Sequence, residues 1–376
     1  MTYQPTNGIY RFAFDFYKEG GESLGMIACD LASAAGSLLD PAGSFGAAVS
    51  GGASGPPGGA DGFDFEPVRE CLLHEALRRE LPQGPSALAP IALAPVWSED
   101  GRPACRAINA SLTVSGQRVE CELELQYFKR AAETVAQQFV SQGKLDENDA
   151  FLFHISAFPQ AGAAPAVAAA TPDRTESFRI DLAPEPLRVD VAPLSPLFAA
   201  ADGQGPHDGR DIPVFVPRKV LDEITEIARS AGELESGGAL AGRLQRCPER
   251  RQLFVEITAA IPARHGEAGT GSFTFTPETW AAVDQTLELR GSSESTVGWF
   301  HSHPNFCKKC PADQQRACVF GHPFFSSDDK HLQRAVFPQG HQVGLLISDL
   351  GERGLVPALY GWRAAMVHER GFHVVA

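Results

Sequence analysis

The chain is expected to be an α+β protein in two parts. One is an N-terminal α+β domain over residues 1–200. The other is a C-terminal domain over 212–376, in which helices flank a mixed, mostly antiparallel sheet. Three observations lead to this reading. Apolar residues alternate with period two in some segments and recur at helical spacing in others, on both sides of residue 210. Low-complexity stretches separate the patterned segments: 41–62 is rich in Gly, Ala and Ser, 160–173 in Ala and Pro, and 201–211 in Gly, Asp and His. Charge is also divided unevenly, with 15 basic against 27 acidic residues in 1–210 and 17 against 19 in 211–376.

In the N-terminal part, 10–17 alternates as a strand does, and 68–81 is apolar at helical spacing. Residues 107–128 read as two strands hinged at Ser115-Gly116, followed by a helix over 129–142 and a strand over 151–158. No motif is recognised in this half and no chemistry is assigned to it; binding of a substrate or partner and a packing or spacer role both stay open. Beyond the 201–211 linker, 213–216 reads as a short strand and Pro217 opens a helix whose Val220, Leu221, Ile224 and Ala228 share one face. Strands over 235–244 and 253–263 follow. Thr276-Pro277-Glu278 then caps a helix reaching about residue 289. A strand over 296–303, a helix over 328–336 and strands over 342–347 and 358–362 complete the domain.

With 376 residues, 43% of them hydrophobic, the chain can fill two ordinary cores. Its net charge of −14 argues against non-specific binding to nucleic acid, which depends on neutralising phosphates. Five of the eight cysteines, at 29, 71, 105, 121 and 247, show no paired spacing. A disulfide scaffold is therefore not expected, and a reducing compartment fits better. No basic-then-apolar stretch opens the sequence and no run of about 18 apolar residues occurs, so the expectation is a cytoplasmic chain without a membrane partner.

The most informative residues lie at 299–304, Trp-Phe-His-Ser-His-Pro, with Asp329 26 positions after His303. In a strand alternate side chains share a face, so His301 and His303 can reach one ion. With Asp329 as third ligand the fourth tetrahedral position stays open, as in hydrolytic rather than structural zinc sites. Such a site needs a base. Glu235, before the Gly237-Gly238 pair where backbones can approach closely, is the best candidate. Read singly, these residues have plainer explanations: a satisfied core histidine, a solvated glutamate, and for Ser326 a helix N-cap with acids in the first turn.

Taken together, Glu235, His301-Ser302-His303-Pro304 and Ser326-Ser327-Asp328-Asp329 resemble the signature of the JAMM (MPN-plus, JAB) zinc metalloproteases. That pattern is a Glu ahead of a Gly-Gly strand, then His-x-His-Pro, then Ser-x-x-Asp. The resemblance covers roughly 212–376 and implies an MPN/JAB fold, three-layer-like in its helix-sheet arrangement. It also implies that His301, His303 and Asp329 bind catalytic zinc, that Glu235 accepts a proton from the attacking water, and that Ser326 helps hold the oxyanion. In relatives, a loop placed like the Gly-rich 262–272 run pairs with the extended tail of a ubiquitin-like protein. His265 in that run reads as a surface residue, and Trp299 and Trp362 read as core.

The chain departs from the family in one place. The family usually has seven residues between the second histidine and the serine, whereas 22 separate His303 from Ser326. The extra segment, 304–325, holds Cys307, Cys310, Cys318 and His322, spaced C-x2-C-x7-C-x3-H. This suits a second, closed, structural zinc, whose binding would fold a loop too small to have its own core. Two disulfides, unpaired thiols or a nucleic-acid knuckle using Lys308, Lys309 and Arg316 are the competing readings. A role in shaping substrate access fits the position beside the metal strand better.

The expected activity is therefore zinc-dependent cleavage after the C-terminal glycine of a ubiquitin-like protein, in deconjugation or precursor processing. The alternatives are a peptidase that processes sulfur-carrier proteins, a small-molecule amidohydrolase, and a non-catalytic MPN scaffold. The high Ala, Gly and Pro content resembles that of bacterial chains. In that setting the resemblance points to enzymes that accompany ubiquitin-activating and ubiquitin-conjugating homologues, with antiviral defence as the context by analogy.

Overall fold

The computed structural model describes residues 10–29, 65–81, 90–99, 103–146, 148–159, 187–264, 266–269, 271, 273–291, 293–310, 318 and 320–376. The low-complexity stretches 41–62 and 160–173 lie outside the described residues, as do His265 and positions 311–317 and 319 of the Cys/His segment. The chain divides into two compact units, one of 1–77 with 81–186 and the other of 78–80 with 187–376. Among the described residues no helix is long and apolar enough to cross a membrane.

The first unit contains β1 (Tyr10–Lys18), β2 (Ser23–Cys29), α1 (Glu66–Arg78), β3 (Ala92–Trp97), β4 (Ala104–Val114), β5 (Gln117–Glu124), α2 (Lys129–Ser141) and β6 (Phe151–Pro159). Its antiparallel sheet runs β2-β1-β6-β4-β3, with β5 paired to β4. Phe12, Phe14 and Phe16 on one face of β1 are buried along with Val68, Leu72 and Ala76 of α1. Phe139 of α2 meets Phe16 edge to face at 5.2 Å. The expected strand pair over 107–128 is present and turns at Ser115 and Gly116, both at positive φ. Its last four residues, Leu125–Phe128, instead form a 3-10 turn leading into α2. Two strands that the alternation did not reveal are β2 and β3. They are short and placed at the ends of the sheet, where side chains need not alternate strictly.

The second unit begins earlier than the sequence suggested. It comprises β7 (Asp190–Val191), α3 (Ser195–Ala199), β8 (Ala201–Gln204), β9 (Val214–Pro217), α4 (Arg218–Ala231), β10 (Gly237–Cys247), β11 (Gln252–Pro262), β12 (Glu267–Ala268), β13 (Phe273–Thr274), α5 (Pro277–Arg290), β14 (Ser295–His303), α6 (Ser327–Val336), β15 (Val343–Asp349), β16 (Leu355–Arg363), β17 (Met366–Arg370) and β18 (Phe372–Val375). Residues 201–204, assigned to a linker by their composition, are strand β8, paired antiparallel with β18. Polar, glycine-containing residues suffice there because β8 is an edge strand supported by the buried Leu194, Phe215, Cys247 and Phe254 cluster.

The main sheet runs β17-β16-β15-β14-β10-β11-β9-β18-β8 and is mixed: β14 runs parallel to β15 and antiparallel to β10. The strand carrying the two histidines is therefore held on both sides. Helix α4 buries Val220, Leu221, Ile224 and Ala228, the face its 3.6-residue spacing predicts. At α5 the Thr276 hydroxyl accepts from Thr279 N–H, so the expected cap is present. Trp299 and Trp362 are both buried.

Candidate metal centre

In β14, residues 297–303 are all buried. His301 and His303 lie two positions apart and project toward one point. Their Nε2 atoms are 3.1 Å apart. Asp329 reaches the same point from the first turn of α6, with Oδ1 3.2 Å from His301 Nε2 and Oδ2 3.5 Å from His303 Nε2. A tetrahedron with bonds of about 2.0–2.1 Å has edges of roughly 3.3–3.4 Å, close to the spacing of the two imidazole nitrogens from each other and from the Asp329 carboxylate. Two imidazole nitrogens and a carboxylate converging at this range are donors of the kind that zinc takes, so the set fits zinc. Among the described residues, this is the one group of three or more candidate ligand atoms lying within 4.8 Å of one another.

Each donor is aimed by its own local structure. Trp299 stacks on the His301 ring at 4.5 Å with planes 13° apart. The indole N–H donates to Gln333 Oε1 at 2.7 Å, and the Gln333 amide donates to the carbonyls of Phe337 and Gln342, so a buried polar network on α6 fixes the imidazole. Trp299 is thus core, as expected, but core that braces a ligand. Burial pushes the His301 pKa down despite the neighbouring carboxylate, which keeps the ring in the neutral form that ligates metals. The Nδ1 atoms of His301 and His303 are buried without a hydrogen-bond partner among the described residues.

Asp329 is oriented by a helix cap. Ser326 is the N-cap of α6, its hydroxyl accepting from Asp329 N–H at 3.1 Å while Asp329 Oδ2 accepts from Ser326 N–H at 2.7 Å. The plain reading of Ser326 as an N-cap is therefore what its contacts show. Its hydroxyl uses a lone pair in that role and keeps its own proton to donate. Burial opposes ionisation of Asp329, yet hydrogen bonds from both histidines and from Ser326 N–H outweigh it and hold the carboxyl well below the usual range.

Glu235 lies just ahead of β10. That strand pairs Gly237 with His301, and Ser302 N–H donates to Ser236 O at 2.8 Å, so the same register carried further sets Glu235 opposite His303. A second tie is the Ser302 hydroxyl, which accepts from Ser236 N–H at 2.9 Å and lies 2.9 Å from the Ser236 hydroxyl. The Gly-Gly pair has the predicted role: a Cβ on Gly237 or Gly238 would press on the carbonyl of Phe300 or Ile261 and on aromatic rings. Glu235 is buried, and its N–H donates to Gly269 O at 2.9 Å, in the loop between β12 and β13. Burial, and then the charge of Asp329, push its carboxyl up to about 8. Sequence reasoning missed Ser236, Ser302, Gln333 and Gly269, because each acts through a backbone or a neighbour and no spacing rule marks such partners.

The Cys/His segment is brought together only in part. Cys307 and Cys310 flank a tight turn in which Cys310 N–H donates to Cys307 O at 3.0 Å. Cys310 Sγ lies 3.1 Å from Cys318 Sγ, and the Cys307 thiol is also within hydrogen-bonding reach of Cys318. His322 is exposed. Phe306 and Phe324 close on His303 at 5.5 and 4.9 Å, so the segment abuts that histidine.

Residues 217–308 match the family of prokaryotic homologs of the JAB domain, a span holding Glu235, His301 and His303. The chain carries a JAB/MPN-like domain, in agreement with its JAMM-type residues. Among curated proteins, similarity extends to COP9 signalosome complex subunit 5a of Arabidopsis thaliana, 29% identical over 93 residues, which are 25% of each chain. COP9 signalosome complex subunit 5 of Drosophila melanogaster is 27% identical over 135 residues, 36% of this chain and 37% of that one. The chain thus spans well under half the length of these relatives. The solution structure of a Desulfitobacterium hafniense protein aligns with 43% of this chain and 92% of its own at 19% identity and a TM-score of 0.30.

Two outcomes follow from the centre. Asp329→Asn keeps a side-chain oxygen for the cap but removes the ligand charge. It should leave the far-ultraviolet circular dichroism of the folded protein nearly unchanged while bound zinc, measured by mass spectrometry after dialysis, falls below about one tenth of the wild-type occupancy. In the metal-free protein, Glu235 contributes stability below its unfolded value of 4.5, and that contribution is lost as pH rises through about 8. Urea unfolding between about pH 5 and pH 8 should show the wild type losing on the order of a few kcal/mol relative to Glu235→Gln.

Proposed function

We propose that this protein is a zinc-dependent isopeptidase or peptidase that cleaves after the C-terminal glycine of a ubiquitin-like protein. The observation that carries the reading is the convergence of His301, His303 and Asp329 on one point, with the buried Glu235 just ahead of the neighbouring strand. The JAB family match, in a family that includes metal-dependent isopeptidases, supports it. So does similarity to subunit 5 of the COP9 signalosome.

A bound zinc ion would supply a Lewis acid that makes water nucleophilic near neutral pH. Glu235 takes the proton from the attacking water and returns it to the departing amine. Its raised pKa in the metal-free chain reflects burial and a like charge, and a nearby cation would lower it into the range of a working base. Ser326, through the proton its capping role leaves free, donates to the oxygen of the scissile carbonyl, a contribution of roughly 3–4 kcal/mol for such donors elsewhere. The substrate tail adds as a strand to the β12–β13 hairpin, whose Gly269 is already bonded to Glu235 N–H.

The Cys307, Cys310, Cys318 and His322 set is proposed to take a second zinc, with His322 moving in as the fourth ligand. Two of its sulfurs already touch, and Cys318 contacts both other thiols. That ion would fix Phe306 and Phe324 against His303 and so shape the entrance to the centre.

Glu235→Gln should keep one zinc at His301, His303 and Asp329 yet cut a ubiquitin-like protein fused to a fluorescent reporter at least about 100-fold more slowly than wild type. Cleavage that persists in this variant, or that ignores the tail sequence, would reject the proposed reading. The double variant Cys307→Ser, Cys310→Ser should lose one zinc per chain by mass spectrometry and retain the other, and unchanged metal content would reject the second ion.

A further inference from the structure

The first unit holds a pair of thiols that nothing above uses. Cys71, half-buried on α1, and Cys121, on the inward face of β5, are 50 residues apart in sequence, yet their sulfurs are 2.8 Å apart. Unbonded sulfurs normally rest farther apart than this, and a disulfide requires about 2.05 Å, so less than an ångström of movement separates the two states. Both residues sit in packed elements. Leu72 and Ala76 of α1 and Val119 and Leu123 of β5 are buried around them, which holds the thiols face to face rather than leaving the contact to chance.

We propose that Cys71 and Cys121 form a disulfide under peroxide stress and that this bond clamps α1 to the sheet of the first unit. Hydrogen peroxide first oxidises the more accessible Cys71 thiol to a sulfenic acid, releasing one water. The Cys121 sulfur then attacks the Cys71 sulfur, its proton leaves with the hydroxyl as a second water, and the S–S bond forms. Two thiols lose two electrons and two protons, all accepted by one peroxide. A glutathione or thioredoxin-type reductant reverses the bond. The remaining cysteine of this unit with a described thiol, Cys105, is buried and bonds weakly to Pro103 O at 3.9 Å, so it does not compete.

The bond would close a loop of 50 residues and stabilise chiefly by restricting the unfolded chain. The test uses the full-length wild-type protein, treated with hydrogen peroxide or with a phosphine reductant, alkylated in denaturant and digested with trypsin without reduction. The expected result is a cross-linked pair of the peptides 70–78 and 119–129 in the oxidised sample alone, with a melting temperature of the first unit roughly 5–15 °C above that of the reduced form. Cys71→Ser and Cys121→Ser should each abolish both effects. Recovery of both cysteines alkylated after peroxide treatment, Cys71 as a sulfinic acid beside a free Cys121, or a cross-link to any other cysteine would overturn the proposal. Because the readout is covalent and confined to the first unit, it is independent of whether the second unit cuts a ubiquitin-like protein.

Discussion

Everything at the metal centre depends on the antiparallel register between β10 and β14. Gly237 faces His301, and the hydroxyls of Ser236 and Ser302 meet beyond that pair, so the two histidines and Glu235, just ahead of β10, are held at fixed relative height. A slip of one residue would turn both histidines to the opposite face and move Glu235 away from the carboxylate of Asp329. The glycines make that register reachable, since larger side chains at 237 and 238 would force the strands and the rings above them apart.

The third candidate ligand has a different source of order. Asp329 is held by a helix start rather than by the sheet, and α6 is fixed in turn by Gln333 bonded to Trp299, the residue stacked on His301. Sheet and helix thus meet through two indole N–H groups, Trp299 on Gln333 and Trp362 on the Phe337 carbonyl, in a layer built mainly of Trp299, Phe325, Phe337 and Tyr360. Burial of that layer keeps the His301 imidazole neutral, and hydrogen bonds keep the carboxylate a few ångströms away ionised.

The sequence made the central residues legible because each obeys a local rule: two histidines at period two, an acid in the first turn of a helix, glycines where backbones crowd. The 3.6-residue face of α4 and the Thr276 cap were legible for the same reason. Strands β8 and β18 were not. Their pairing joins residues about 170 positions apart and rests on Phe215 and Phe254 beneath them, which no short window displays. Cys71 and Cys121 illustrate the same limit. Their linear spacing signals nothing, whereas the packing of a helix on a strand brings their sulfurs together. In the Cys/His segment Cys310 and Cys318 approach one another, whereas His322 is exposed.

The double employment of Asp329 has an evolutionary corollary. Its carboxylate closes the first turn of α6 whether or not hydrolysis occurs, so folding alone is reason enough to retain it, together with Ser326. Glu235 has no comparable structural duty, since its buried carboxyl is a burden on the fold unless a cation sits beside it. In a descendant that had given up chemistry and kept only its shape, the aspartate would persist as a fossil, and the glutamate would be the first to erode.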